Sequence, residues 1–140
     1  MARKYFVDTN ILMYAHDRSQ ATKHRRAQKL IDDLWATGEG VLSTQVLQEL
    51  CVNLRRKANP PFSMDEMRSL IRDYKSWHVI VNTQESLLRA LEIEDRYRIS
   101  FWDALILQAA ESAGADIVYS EDLSNGQHYG SIQVVNPLLG

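Results

Sequence analysis

The sequence lacks the features that mark several common classes of protein. It has one cysteine, Cys51, in 140 residues, which excludes an internal disulfide and a cysteine-based zinc site and fits a reducing compartment. No apolar run approaches the roughly 20 residues of a transmembrane helix. The first residues lead into Tyr5-Phe6-Val7 without a signal-peptide segment. We therefore predict a cytoplasmic protein with no membrane partner.

Motifs of several enzyme classes are also missing. There is no Gly-x-x-x-x-Gly-Lys-Ser/Thr loop to hold a nucleotide phosphate, and no Gly-x-Ser-x-Gly for a serine nucleophile. The four histidines stand in no recognisable catalytic arrangement (His16, His24, His78 and His128). The net charge of −2 provides no global basic field, so binding of nucleic acid would need a local patch.

The composition and the pattern of apolar residues predict an α/β fold. Hydrophobic residues make up 45% and charged residues 24%, as in an ordinary globular protein, and the length suits one domain over residues 1–140. Short apolar runs predict strands near 5–7, 41–43, 78–81, 116–119 and 132–135. Helical patterns fill most of the intervals, and 124–131 reads as a polar loop. Short strands separated by helices predict a parallel sheet covered on both sides.

Four acidic residues stand where such a fold would bring them together. Asp8 and Asp122 follow predicted strands, Asp103 lies in the first turn of a helix, and Glu49 lies about five residues into another. Strands end and helices begin at the same edge of a parallel sheet, and ligands bind there. Clustered carboxylates without a basic neighbour are costly unless they hold a cation. This arrangement points to chemistry on phosphates.

Each acid also has a simpler explanation. Asp8 could cap the turn after its strand, and Asp103 could complement the dipole of its helix. The apolar sequence around Asp103 nevertheless predicts a largely buried helix, in which a charge needs a partner. Glu49 falls opposite the apolar stripe of its helix, so a solvated surface glutamate fits equally well. Glu121 is an alternative to its neighbour Asp122.

Taken together, these segments resemble the PIN-domain ribonucleases, in particular VapC-type toxins of bacterial toxin–antitoxin pairs. The matching stretches are Phe6-Val7-Asp8-Thr9-Asn10, residues 42–49 ending in Glu49, Ser100-Phe101-Trp102-Asp103-Ala104, and Tyr119-Ser120-Glu121-Asp122-Leu123. Their order and spacing extend through almost the whole chain, so the match is specific as a set.

The resemblance implies a three-layer α/β/α sandwich with a parallel sheet of four or five strands. It implies a metal-dependent endoribonuclease in which Asp8, Glu49, Asp103 and Asp122 form the acidic quartet. Oxygen ligands favour Mg²⁺ or Mn²⁺. Supporting polar positions would be Asn10, Ser43, Ser120 and Glu121. It also implies an RNA substrate, a homodimer, and a small antitoxin that presents an arginine to the acids.

Two basic clusters are the candidates for contacting RNA. One comprises Lys23, Arg25, Arg26 and Lys29, and the other comprises Arg55, Arg56 and Lys57. A solvated helix face is the simpler reading of either cluster. The tryptophans at 35, 77 and 102 are expected in the core rather than as surfaces on which bases stack.

Two other functions fit part of the sequence. A phosphatase or phosphotransfer domain could use Asp8 as a nucleophile, although such enzymes generally have a second aspartate where this chain has Asn10. A non-catalytic module that binds RNA or protein would leave the four acids unexplained.

Overall fold

The computed structural model describes residues 3–139, so residues 1, 2 and 140 of the predicted domain lie outside the described residues. The strands are β1 Tyr5–Val7, β2 Gly40–Ser43, β3 His78–Ile80, β4 Ile117–Tyr119, β5 His128–Tyr129 and β6 Ile132–Val135. The helices are α1 Thr9–His16, α2 Thr22–Thr37, α3 Thr44–Arg56, α4 Met64–Asp73, α5 Gln84–Tyr97 and α6 Phe101–Ala113. Short 3₁₀ turns span Arg18–Gln20 and Tyr74–Ser76.

The strands form one sheet in the order β3-β2-β1-β4-β6-β5. All neighbouring pairs are parallel except β5 and β6. The chain moves outward from β1 to β3 and then crosses back to β4. Because such crossovers are right-handed, α1 to α4 cover one face of the sheet and α5 and α6 cover the other. This is the predicted α/β/α sandwich, with five strands in its parallel part.

The sixth strand was not predicted. The sequence at 124–131 reads as a polar loop, yet His128–Tyr129 pairs antiparallel with β6. Tyr129 is buried, and its ring contacts the ring of Tyr97 with a centroid separation of 5.0 Å. Gly130, at φ 63°, makes the tight turn between the two strands. A tertiary contact therefore extends the sheet where local sequence favours a loop.

Helix ends follow the local sequence closely. Ser63 and Glu66 form the predicted capping box at the start of α4. Ser100 caps α6 through the backbone N–H of Asp103, and Gly114 ends this helix in the left-handed conformation. These caps place Asp103 in the first turn of α6, at the edge of the sheet where β1 and β4 end.

The strands are buried on both faces. Phe6, Val7, Leu42 and Val118 have no exposed surface, as expected for a parallel sheet between two helical layers. The central part of α6, residues 104–110, is buried as predicted. Within residues 3–139, no helix is long and apolar enough to cross a membrane.

The prediction that all three tryptophans lie in the core holds only for Trp77, because Trp35 is 38% exposed and Trp102 is more exposed still. Trp77 is buried, and Trp35 packs on Trp77 and Tyr74 with ring centroids 5.3 Å apart in each pair. Trp102 is 64% exposed. It lies one residue into α6, before the helix reaches the core, so its side chain projects beyond the layer that buries the following residues.

Gly40 should be essential for packing β2. A β-carbon added there would lie 2.3 Å from Cζ3 of Trp77, so Gly40→Ala forces the buried indole to move. We expect the substitution to lower the free energy of unfolding by about 1–3 kcal/mol, as overpacking does, measured by urea denaturation. Trp77→Leu removes the clashing ring, so the cost of Gly40→Ala should shrink in that background. An equal cost in both backgrounds would show that the clash is not the cause.

Candidate active site

Asp8 lies at the junction between β1 and α1, and its carboxylate is held on both sides. Oδ1 accepts a hydrogen bond from the backbone N–H of Thr9 at 2.7 Å, and Oδ2 accepts one from Oγ of Ser120 at 2.9 Å. The residue is only 6% exposed. Asp8 therefore caps its helix, as the simpler reading proposed, and it is also buried beside other acids.

The surroundings of Asp8 disfavour its negative charge. Burial raises the pKa of Asp8 to about 7 from its ordinary value of 3.8. Hydrogen bonds from Ser120 and Thr9 oppose this rise, while the negative charges of Asp122 and Glu49 add to it. No positive group is among these influences. The structure thus brings three predicted acids within electrostatic reach of one another.

Glu49 points from α3 toward α1. Its Oε1 accepts a hydrogen bond from Oγ1 of Thr9 at 3.0 Å, and the residue is partly buried. The reading of Glu49 as a solvated surface glutamate is therefore wrong. Thr9 contacts both Asp8 and Glu49, although sequence reasoning does not single it out. The signal in the sequence that could have identified Thr9 is its position between Asp8 and Asn10, inside the first of the matching segments.

Asp122 follows β4 and is tied to α1. Nδ2 of Asn10 donates a hydrogen bond to Oδ2 of Asp122 at 2.7 Å. Oγ of Ser120 accepts hydrogen bonds from the backbone N–H groups of Asp122 at 3.2 Å and Leu123 at 3.3 Å. Ser120 thereby shapes the turn that carries Asp122 while donating to Asp8. Asn10 and Ser120 both contact acids of the cluster.

Asp103 completes the group from the other helical layer. It is half-buried, less than its apolar surroundings in the sequence predict. Burial raises the pKa of Asp103, a hydrogen bond involving Ser100 opposes the rise, and the charge of Asp122 adds to it. Asp122 is therefore the electrostatic link between Asp8 and Asp103.

Glu121 and Ser43 face other partners. Glu121 accepts hydrogen bonds from Oη of Tyr14 and Nζ of Lys23, both at 2.7 Å. Burial raises the pKa of Glu121, but these partners outweigh burial and lower it. The hydroxyl of Ser43 caps α3 by accepting from the N–H of Val46 at 3.3 Å. These contacts favour Asp122 over Glu121 as the fourth acid.

The donor set suits a hard divalent cation by its chemistry. All four groups are carboxylates, and mutual repulsion in a partly buried site is relieved when a cation binds. Within residues 3–139, however, no three acidic, histidine or cysteine side chains are already placed to hold one ion. Thr9 restrains Glu49 and Asn10 restrains Asp122. Ion binding would thus require rotation of these two side chains or bridging by water.

The first basic cluster is largely engaged within the protein. Lys23 forms the ion pair with Glu121, and Lys29 lies 3.8 Å from Asp33. Arg26 donates to the carbonyl oxygen of Leu138 at 2.6 Å, and Arg25 donates to Oγ1 of Thr22 at 3.1 Å. A role of this cluster in RNA binding stays a prediction.

Arg55 of the second cluster borders a groove between α3 and α4. Arg55 donates to the carbonyl oxygen of Cys51 at 2.7 Å and contacts the sulfur of Met64, while Arg56 and Lys57 are exposed. The groove has a volume of about 460 Å³ and also carries three cations that sequence reasoning missed, Arg68, Arg72 and Lys75. They are separated from Arg55 along the chain and meet only through packing of the two helices.

Comparison with known proteins identifies the fold family. A profile of the PIN domain matches residues 5–124. The chain belongs to the PIN domain family. The resemblance inferred from the sequence is thereby confirmed at the level of the family. No curated protein sequence matches this PIN domain.

Solved structures of toxins and toxin–antitoxin complexes have the same fold. VapC20 from Mycobacterium tuberculosis, a sarcin–ricin-loop-cleaving toxin, is 24% identical with a TM-score of 0.67, over 85% of this chain and 90% of that chain. A toxin–antitoxin complex from Klebsiella pneumoniae is 16% identical with a TM-score of 0.71, over 96% and 98% of the two chains. DNA-bound VapBC from Salmonella typhimurium is 16% identical with a TM-score of 0.64, over 95% and 97%. At these identities the likeness establishes the fold of this PIN domain.

The raised pKa of Asp8 predicts a pH-dependent stability. The folded state keeps the Asp8 proton up to about pH 7, whereas the unfolded chain loses it near 3.8, so this stabilisation is present at low pH and lost as pH rises through 7. Between pH 6 and 8, in chelator, wild type should lose about 1 kcal/mol of unfolding free energy that Asp8→Asn does not lose. Urea denaturation at both pH values measures the difference.

Glu39→Gln is the control for this experiment, because it removes one negative charge from a partly exposed residue just before β2, at the opposite edge of the sheet. It should follow the wild-type pH dependence. Equal pH dependence of wild type and Asp8→Asn would contradict the assignment to Asp8.

Proposed function

We propose that this PIN domain is a Mg²⁺- or Mn²⁺-dependent endoribonuclease that hydrolyses RNA phosphodiester bonds, and that it is the toxin of a toxin–antitoxin pair. The observation that carries the proposal is the hydrogen-bonded arrangement of acids at one edge of the sheet, in which Thr9, Asn10 and Ser120 contact Glu49, Asp122 and Asp8. Asp122 and Glu49 raise the pKa of Asp8, and Asp122 raises that of Asp103. A folded protein gains stability from such a group only when a cation joins it.

The four acids would divide the work of holding the ion. Asp8 and Asp103 are proposed as direct ligands, and Glu49 and Asp122 as ligands through water or as groups that orient the attacking water. A bound Mg²⁺ or Mn²⁺ would supply Lewis-acid activation of that water and would neutralise charge on the scissile phosphate. The chain's own contribution is to hold these oxygens at the exposed edge, where an extended substrate has access.

Hydrogen bonds orient the acids for this role. Ser120 and the N–H of Thr9 occupy one lone pair on each oxygen of Asp8, which fixes the direction of the remaining ones. Thr9 and Asn10 restrain Glu49 and Asp122 in positions that suit contact with the ion through water. Glu121 would act indirectly, by keeping Lys23 away from the acids, and Ser43 by fixing the start of the helix that carries Glu49.

The neighbouring structures support the choice of substrate and partner. VapC20 is described as cleaving the sarcin–ricin loop, and two of the neighbours are toxin–antitoxin complexes. The acidic cluster would accept the guanidinium of an antitoxin arginine, because arginine pairs with carboxylates bidentately. The exposed leucines of α5 (Leu87, Leu88 and Leu91) support a homodimer.

The geometry of Asp8 weighs against its use as a phosphoryl nucleophile. Each of its oxygens accepts a hydrogen bond, which lowers its nucleophilicity toward phosphorus but leaves a lone pair for a cation. Asn10, where a second acid would be expected, binds Asp122 instead. Absence of a trapped phosphoenzyme would be consistent with the nuclease and would exclude the phosphotransfer alternative.

Asp8→Asn and Asp103→Asn should each lower RNA cleavage about 100-fold or more, because even groups that only orient metal ligands typically change activity 10–100-fold. The measurement is cleavage of total RNA in excess Mg²⁺, with the fragments sequenced to locate the sites. Asp116→Asn, just before β4 at the opposite edge, is the matched control and should cleave like wild type. Retention of wild-type cleavage by both variants would rule out this site.

Divalent metal should stabilise the folded protein. Mg²⁺ or Mn²⁺ at about 100 times its dissociation constant would add roughly 2.7 kcal/mol if it binds only the folded state. The melting temperature should therefore rise in millimolar metal, but not in NaCl of equal ionic strength, and the rise should vanish in the Asp8→Asn/Asp103→Asn double variant. Equal melting temperatures with and without metal would speak against a metal site.

A further inference from the structure

Trp102 is a large aromatic side chain left in solvent beside the acidic cluster. It is 64% exposed and precedes Asp103 directly in the first turn of α6. Trp35 also reaches the surface, but its ring already packs against Tyr74 and Trp77. Leaving an indole in water forfeits the free energy of its burial, so the position of Trp102 calls for a partner outside the chain.

The backbone and ring of Trp102 are held by two neighbours. The ring of Phe101 meets the indole nearly edge-on, at 74° and 5.6 Å between centroids. Nε2 of Gln45 donates to the carbonyl oxygen of Trp102 at 3.3 Å. Gln45 is 5% exposed, and its Oε1 is the one buried side-chain oxygen or nitrogen without a partner among residues 3–139. The buried side-chain amide of Gln45 therefore makes this one hydrogen bond, to the backbone of Trp102.

The contact between Gln45 and Trp102 joins the two helices that carry site acids. Gln45 lies in the first turn of α3, ahead of Glu49, and Trp102 lies in the first turn of α6, ahead of Asp103. The indole is therefore anchored at the same edge of the sheet as the carboxylates. A nucleic acid whose phosphate reached those acids would pass its neighbouring bases close to Trp102.

We propose that Trp102 is a stacking platform for an unpaired nucleobase adjacent to the scissile phosphate. This inference rests on the proposed nuclease function. Exposed aromatic rings bind single-stranded nucleic acid because every base offers a flat face, whereas bases in a duplex already stack on each other. Trp102 is a binding residue here, and the chemistry stays with the acids.

The test measures binding in the Asp8→Asn background, which leaves the RNA uncut. The affinities of Asp8→Asn, Asp8→Asn/Trp102→Ala and Asp8→Asn/Trp102→Phe are compared for a labelled single-stranded oligoribonucleotide and for the same strand in a duplex. Trp102→Ala should weaken single-strand binding about tenfold, and Trp102→Phe should keep most of the affinity because phenylalanine still stacks. Duplex affinity and the salt dependence of binding should not change, since no charge is lost.

Trp35→Phe is the matched control, since Trp35 lies near the end of α2, at the opposite edge of the sheet from the acids, and its replacement should leave RNA affinity unchanged. Single-stranded RNA should also quench a component of tryptophan fluorescence that is absent in Trp102→Phe. Sedimentation and melting temperature are recorded for every variant, and both should match the parent.

Unchanged single-strand affinity in Trp102→Ala, or an equal loss for the duplex, would overturn the stacking role and leave the nuclease proposal intact. A change in oligomeric state would also overturn it, by placing Trp102 in a contact between copies of the chain. Failure of the wild type to cleave RNA in excess Mg²⁺ would instead remove the nuclease proposal, and the stacking role with it.

Discussion

The burial of a carboxylate at the end of β1 is the constraint on which the rest of the site depends. Asp8 lies between the end of β1, the start of α1 and the turn after β4. Little of the residue is exposed to water, and the charges of two other acids make the potential there more negative. An isolated protein gains nothing from ionising Asp8 here, because burial and the neighbouring charges disfavour the carboxylate and raise its pKa to about 7. The parallel sheet nevertheless enforces this arrangement, since its strands deliver their last residues to a common edge.

Short polar side chains organise this edge. Thr9, Asn10 and Ser120 each bind an acid, and Ser120 also accepts two backbone N–H groups of the turn that carries Asp122. Glu121 belongs to a separate network with Tyr14 and Lys23, so the positive charge of Lys23 is paired with Glu121 and not with the acidic cluster. Glu121 and Asp122 are adjacent in one turn, but Glu121 pairs with a cation whereas Asp122 belongs to the acidic cluster. The electrostatic potential at the acidic cluster therefore stays negative, whereas the charges on the surface beside it are paired.

Much of the fold could be read from local sequence. Apolar runs located the five parallel strands, and Ser63, Glu66, Ser100 and Gly114 marked helix ends, because caps and short buried strands depend on residues close together in the chain. The pairing of β5 could not be read in this way. It depends on Tyr129 packing against Tyr97, about thirty residues earlier in the chain. The cations of the α3–α4 groove were missed for the same reason.

The sequence by itself determined the types and order of the acids, the helix starts that display them and the absence of other catalytic motifs, since these properties belong to single segments. Only the tertiary structure decided which acids interact. Periodicity placed Glu49 on a solvated face, and the packing of α1 against α3 brought it to Thr9 instead. The usual location of tryptophan predicted that Trp102 lies in the core, but the first turn of α6 extends past the layer that would cover it. Both outcomes depend on where one element ends relative to another, which no single segment encodes.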